Sequence, residues 1–354
     1  MARLAAVLVS IAALGACSST SPPGSGVEAD GGTQDASVIA DAGSSDAGAP
    51  DAGQVVAGFQ AGSIDVGGQA RTYQLYVPST AGSRPLPLVL ALHGHGGSAL
   101  QMSGQQGTRS AWKVWTQIAD REGLLVAYLD GLPGGDSKPG WNDCRADGTT
   151  NPTSDDVAFV SALIDTLSQR FTVDSKRVYA GGMSNGGVMT LRLAIELPAR
   201  IAAFAAVAAN MAKTSECAPP AVPTSVLFMH GTADPIMPYD GGAISGNANN
   251  DRGTVLSMSD SLKIWQGLDG TSATPISTPF ADLDTGDGCT VHEDRYTSSS
   301  GTEVVLIEVA GGGHTEPSIQ EHLAALYLRL VGPQDHDVES AEELWRFFKD
   351  KHLP

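Results

Sequence analysis

The chain has 354 residues, 42% of them hydrophobic and 17% charged, and a formal net charge of −18 at pH 7. The acidic balance and the lack of any Lys/Arg cluster argue against nucleic acid as a partner. The same charge would repel an anionic polymer, whereas neutral esters would approach unhindered.

Arg3 supplies a positive start, and Leu4 to Leu14 form an apolar core too short for a membrane span. Leu14-Gly15-Ala16-Cys17 then reads as a bacterial lipobox, predicting a signal peptide over 1–17 and lipidation of Cys17. An ordinary signal peptide cut nearby is the alternative, and either predicts export. Ser18 and Ser19, with no Asp at the second position, resemble outer-membrane sorting, so an outer-membrane or cell-surface lipid anchor is expected. Residues 18–54 have no Lys or Arg and repeat Asp-Ala-Gly units. Such a segment buries too little apolar surface to offset its ordering entropy, which predicts a disordered tether with a reach of roughly 35 Å. Six of the acids, Glu28, Asp30, Asp35, Asp41, Asp46 and Asp51, lie in it.

The remaining residues, 55–354, read as one domain. Ser63 to Tyr73 predicts a hairpin turning at Gly67-Gly68. Leu86 to Leu92 is a buried-strand run that empties into His93-Gly94-His95-Gly96-Gly97. Further helices and strands alternate: a helix over 111–122, a strand over 124–129, and a helix from Val157 capped by Asp155 and Asp156. Arg177 to Gly181 is a strand, Gly187 to Glu196 a helix, and strands follow near 203–208, 225–229 and 304–309. Helix signals recur at 255–266 and 339–351, where Trp345, Phe347 and Phe348 are expected core anchors. This alternation predicts an α/β fold with a mostly parallel central sheet covered by helices on both faces. A monomer is expected.

Between strand and helix stands Gly182-Met183-Ser184-Asn185-Gly186, the arrangement of a nucleophile elbow in an α/β-hydrolase. A tight strand-to-helix turn without chemistry would carry the same glycines, so the partners decide. Asp234 follows the strand ending in His230-Gly231, and His314 follows the last strand through Gly311-Gly312-Gly313. The order Ser184, Asp234, His314 is that of an α/β-hydrolase. Backbone N–H groups of His95 and Asn185 are the expected oxyanion donors. Asp240 is a rival acid. His292, in an apparent strand, His322, on a helix expected near Pro317, and His336 and His352 compete as bases without the post-strand glycines; His230 reads as a packed loop residue. His93 and His95 could mimic a metal pair, but nothing else supplies zinc-like spacing, so neither metal nor cofactor is expected. The loop 131–152 carries Trp141, expected to line the acyl or glycan side of the cleft, or else to plug a hole beneath the loop.

These segments together resemble the secreted polyhydroxybutyrate depolymerase / feruloyl esterase family, of the carbohydrate esterase type. The matching stretches are His93-Gly94-x-Gly96-Gly97, Trp141-Asn142-Asp143-Cys144, Asp155 to Phe159, Val173-Asp174-x-x-Arg177-Val178-Tyr179, the elbow, and His230 to Asp234. The resemblance implies ester hydrolysis through an acyl-serine without a cofactor, on polymeric or small esters, with Ser184, Asp234 and His314 in the family's catalytic roles. Plant-wall feruloyl or acetyl esters are the expected substrates, a polyester the alternative, and an inactive polymer-binding lipoprotein a more distant one. The family commonly has a Trp-Pro pair after the histidine; here Thr315, Glu316 and Pro317 follow His314, which weakens an aromatic-acyl reading. It also often has a cysteine pair where this chain has only Cys144. In an exported compartment Cys217 and Cys289, in loops expected at neighbouring positions on the sheet, are the expected disulfide, leaving Cys144 free.

Overall fold

Alternate residues of Leu86–Leu92 enter two different hydrophobic clusters: Leu88, Leu90 and Leu92 pack on one side of the sheet, Val89 and Ala91 on the other. Both faces of the strand are dry, which is why its sequence is a continuous apolar run and not an alternating one. The computed structural model describes residues 56–82, 84–107, 109–245 and 251–354. All lie in one compact unit, Gln54–Pro354. The expected signal peptide, Cys17 and the whole of the expected tether lie outside the described residues. Among the described residues no helix is long and apolar enough to cross a membrane.

The main sheet has ten strands: β1 (Gly58–Val66), β2 (Gln69–Val77), β3 (Leu86–Leu92), β4 (Leu125–Leu129), β5 (Val173–Met183), β6 (Ala203–Val207), β7 (Ser225–Gly231), β8 (Ile276–Pro279), β9 (Thr290–Thr297) and β10 (Glu303–Ala310). Their order is β1-β2-β4-β3-β5-β6-β7-β10-β9-β8. The six strands from β4 across to β10 run parallel, and antiparallel strands finish each edge. The hairpin turns at Gly67 and Gly68, both at positive φ, as a two-residue loop between twisted strands requires.

Six helices matter here: α1 (Trp115–Glu122), α2 (Asp156–Arg170), α3 (Asn185–Glu196), α4 (Met258–Asp269), α5 (Ala325–Val331) and α6 (Ser340–Phe348). Side chains of α2, α3 and α4 pack on one face of the sheet, those of α1 and α6 on the other. Trp345, Phe347 and Phe348 are buried in the second cluster, as their composition implied. Asp155 caps α2 by accepting from Ala158 N at 2.9 Å. Asp156 has a different role from the cap expected of it: it is buried and paired with the guanidinium of Arg71 at 2.6 Å, and it accepts from Asn142 N at 2.7 Å. The helix expected near Pro317 begins only at Ala325. Residues 317–324 instead run over Gln334 and Glu339, whose side chains satisfy the N–H groups of Leu323 and of Ile319 and Gln320.

The disulfide joins Cys144 to Cys217, and Cys289 is a buried free thiol, which corrects the expected Cys217–Cys289 pair. Strands β6 and β9, which precede and follow those two cysteines, are separated by β7 and β10. The loop after β6 folds the other way, over residues 144–146: Ala146 N donates to Thr214 O (2.9 Å) and Glu216 N to Cys144 O (3.0 Å).

Candidate active site

The connections leaving β3 and β5 at their C-terminal ends diverge, because β3 lies between β4 and β5. In an open parallel sheet that divergence leaves a crevice, and ligands bind there. Ser184 stands at its edge, between β5 and α3, with φ 57° and ψ −122°. A non-glycine residue at positive φ costs of order 1–3 kcal/mol and persists only where its surroundings impose it. The surroundings are visible. A Cβ on Gly182 would lie 2.3 Å from Gly186 O, and one on Gly186 would lie 2.3 Å from Leu92 O. The glycines therefore let helix, strand and the β3 loop meet, and Ser184 N donates to Val207 O at 2.9 Å.

Asp234 and His314 reach the same end of the sheet from β7 and β10. His314 Nδ1 bonds Asp234 Oδ2 at 2.7 Å, and both side chains are buried. The other carboxylate oxygen accepts from Ile236 N and Met237 N, each at 2.8 Å, so the acid is held at both ends. The histidine loop is pinned by Gly313 N to Pro333 O (2.8 Å) and His314 N to Val331 O (2.6 Å). Ser184 and His314 line one cavity of about 720 Å³. The rival Asp240 is exposed and has no hydrogen bond to His314. His230 is buried against Tyr239, and burial pushes its imidazole down to about 4, which suits a packed residue. His292 lies in β9, and His322 and His336 stack on each other.

The His93–Gly97 loop presses on the elbow: a Cβ on Gly94 would lie 3.4 Å from Ser184 Cβ. His93 sits beneath it. Gly131 N donates to His93 Nε2 at 2.9 Å, which leaves Nδ1 to carry the hydrogen donated to Gly94 O at 2.7 Å. Burial lowers the pKa of His93, consistent with this neutral form. His95 is tied to Asp136 at 2.9 Å and also lines the cavity; burial, followed by the nearby Arg252, lowers its pKa. The N–H of Asn185 opens α3, where a helix has no internal acceptor to offer. Its side chain accepts from Trp141 N at 2.8 Å and donates to Asp143 at 2.7 Å.

Trp141 does not line the cleft. It is fully buried under the loop, with its indole N–H donated to His93 O at 2.7 Å. An indole this large, with one donor satisfied by a backbone carbonyl, is more stable in the core than at a wet wall. Asp143, paired with Arg145 at 2.6 Å and bound by Asn151, was not singled out from the sequence, nor was Arg145. Their signal is the Trp-Asn-Asp-Cys-Arg run itself. The cavity wall beside His314 carries Glu316, whose carboxyl accepts from Trp112 Nε1 at 3.0 Å. Burial raises its pKa. Arg252 also lines the cavity, with its Nε buried and without a hydrogen-bond partner.

A parallel sheet with a strained serine after one strand and an acid–histidine pair after two others defines an α/β-hydrolase. A sequence model of the family described as esterase PHB depolymerase matches residues 71–241. The chain is 33% identical over 271 residues to a putative esterase, NocK, of Nocardia uniformis subsp. tsuyamanensis, covering 73% of this chain and 74% of that one. It is 31% identical to feruloyl esterase B of Piromyces equi, covering 66% of this chain and 40% of the relative. Among solved structures it is similar to an acetyl xylan esterase from Aspergillus awamori, at 17% identity and a TM-score of 0.45, over 69% of this chain and 89% of that one. The chain belongs to the esterase PHB depolymerase family and is a carboxylic ester hydrolase.

Proposed function

We propose that this protein is an exported serine esterase that cleaves feruloyl or acetyl esters of plant-wall polysaccharide through an acyl-serine, held at the outer membrane or cell surface by a lipid on Cys17. The observation that carries the catalytic part is the 2.7 Å bond from His314 to Asp234 beside a strained Ser184 in the same cavity. In this scheme Asp234 orients His314, which takes the Ser184 proton as the hydroxyl attacks the ester carbonyl. The N–H groups of His95 and Asn185 stabilise the oxyanion, the alcohol departs, and water releases the acid by the same steps reversed. Each residue so used is local to one end of the sheet, and the reaction needs no cofactor.

The substrate class is supported by relatives named feruloyl esterase B and bifunctional acetylxylan esterase/xylanase. One feature favours the polyester reading instead. Leu326 and Leu330 of α5 are 73% and 70% exposed next to Tyr327, which lines the cavity, and an apolar rim suits an apolar polymer. Hydrolysis of methyl ferulate, acetylated xylan and a 3-hydroxybutyrate oligomer by the full chain and by Ser184→Ala decides. Preferential turnover of a plant-wall ester, lost in the variant, is expected; preference for the oligomer selects the polyester, and turnover surviving in Ser184→Ala refutes the catalytic scheme. The anchor is tested by Cys17→Ser, which should release the protein from the membrane fraction.

A further inference from the structure

Three buried carboxylates are matched by a guanidinium, Asp143 by Arg145, Asp156 by Arg71 and Glu293 by Arg295, and Asp234 is matched by His314. One group of acids is buried together without a guanidinium partner. Asp335 is 0% and Asp337 5% exposed, and each has a carboxylate oxygen, Oδ2, buried without a hydrogen-bond partner. The side chain of Asp287 is 3% exposed. Oxygens of Asp287 and Asp335 lie within 4.8 Å of each other and of Cys289 Sγ, and donor atoms of Asp284, Asp287 and His336 form a second group of the same size. Among the described residues no Lys or Arg pairs with any of the four acids; their ion-pair contacts are with His336 alone.

Asp284 is half-exposed, but Asp287, Asp335 and Asp337 are buried carboxylates clustered without a Lys or Arg partner, which is costly to hold charged. Here they are also built in place. Asp335 Oδ1 accepts from Asp337 N (3.1 Å) and Val338 N (3.3 Å), and Asp337 Oδ1 from Leu283 N (2.6 Å) and Asp284 N (2.9 Å). Asp287 accepts from Cys289 N at 2.7 Å and His336 N at 2.8 Å. Backbone donors thus hold one oxygen of both Asp335 and Asp337, leaving Oδ2 of each for another ligand.

We propose that Asp287 and Asp335, with Asp284, Asp337 and His336 around them, form a divalent-cation site distinct from the ester-cleaving centre. The carboxylates of Asp284, Asp287 and Asp335 outnumber the one thiol and one imidazole, so the donor set is mainly a hard one, which favours Ca2+ over a softer ion. The site would clip two segments together, 283–289 and 331–338. Both touch the stretch that carries His314. A Cβ on Gly311 would lie 2.4 Å from Gly288 O, and Gly313 and His314 donate to Pro333 and Val331. The cation's function is to lock the histidine loop, and it takes no part in bond cleavage.

The test is thermal unfolding and calorimetric titration of the full chain after EGTA treatment, with CaCl2, MgCl2 or ZnCl2 added alone. Saturating Ca2+, at about a hundredfold its Kd, should raise the Tm by roughly 5 °C. Asp335→Asn should abolish that response and unfold no earlier than the wild type in EGTA, since one buried charge is gone. A wild type that neither binds nor is stabilised by any of the three ions overturns the site. A response to Zn2+ alone overturns the hard-cation assignment. A calcium response retained in both Asp335→Asn and Asp287→Asn places the ion elsewhere and overturns the proposal, and the wild-type titration decides even if a variant fails to fold. Ester hydrolysis is read separately, so a failed cation site leaves the proposed reaction standing.

Discussion

The indole N–H of Trp141 is donated to the carbonyl of His93 at 2.7 Å, and the two rings lie 5.0 Å apart. The bond ties the long loop to the end of β3, so the buried aromatic residue supports the His93–Gly97 loop, which lines the cavity while Trp141 does not. Trp141→Phe keeps most of the volume and loses the bond. It should cost about 1–3 kcal/mol in stability and lower kcat more than it changes KM, because the loop it supports carries the proposed oxyanion donor, the N–H of His95. A change confined to KM would return Trp141 to substrate contact.

Ser184 carries strain as well as the proposed nucleophile. Ser184→Ala should lower kcat by about 10⁴-fold or more with little change in Tm. Ser184→Gly should be equally inactive yet more stable by about 1 kcal/mol, since glycine adopts φ 57° without penalty. Denaturant unfolding of the two variants side by side checks this, and equal stabilities would mean that the turn is relaxed.

Asp234→Asn retains an oxygen for the N–H groups of Ile236 and Met237, so the loop should hold its shape. What changes is the partner of His314 Nδ1. The expected loss is about 10⁴-fold in kcat at unchanged Tm, measured on the best substrate of the panel.

Cys144 and Cys217 are separated by 73 residues. Cross-linking a loop of that size restrains the unfolded chain, so Cys217→Ser should destabilise the protein by about 2–4 kcal/mol. Reducing agent should lower the Tm of the wild type and leave that of the variant unchanged.

Asp269 ends α4 with its carboxyl buried, and burial raises its pKa from 3.8 to about 6. The folded-state value lies above the unfolded one, so folding favours the protonated form. That contribution is complete below about pH 4 and is lost as the pH rises through 6. Asp269→Asn keeps an acceptor for Thr224 N without the charge. Its Tm should exceed that of the wild type at pH 8, by about 1–2 kcal/mol of stability, with the gap closing at pH 4. A gap of equal size at both values would show that the carboxyl is not the cause.

How much was legible follows from the range over which each feature is encoded. β3 was readable residue by residue because a strand buried on both faces must be apolar throughout. The elbow was readable because Gly182 and Gly186 stand where any side chain would collide with backbone. Asp234 and His314 could be picked out together because each stands just past the C-terminal end of one of two neighbouring parallel strands, and the structure brings them within hydrogen-bond reach there. The pairing of Cys217 was misread since it depends on which way a loop folds after its strand, and that is set by contacts with residues 144–146. The helix expected at Pro317 gave way to side-chain bonds from Gln334 and Glu339, partners that local spacing does not reveal.

The chain by itself determined the alternation of strands and helices, the parallel core and the order of serine, acid and histidine, because propensity, burial and backbone clearance act between near neighbours. The tertiary structure alone decided what lies against what: Trp141 under His93, Cys144 beside Cys217, and Asp287 against Asp335. Those pairs join segments from different loops, and they meet only once the sheet brings the ends of its strands together.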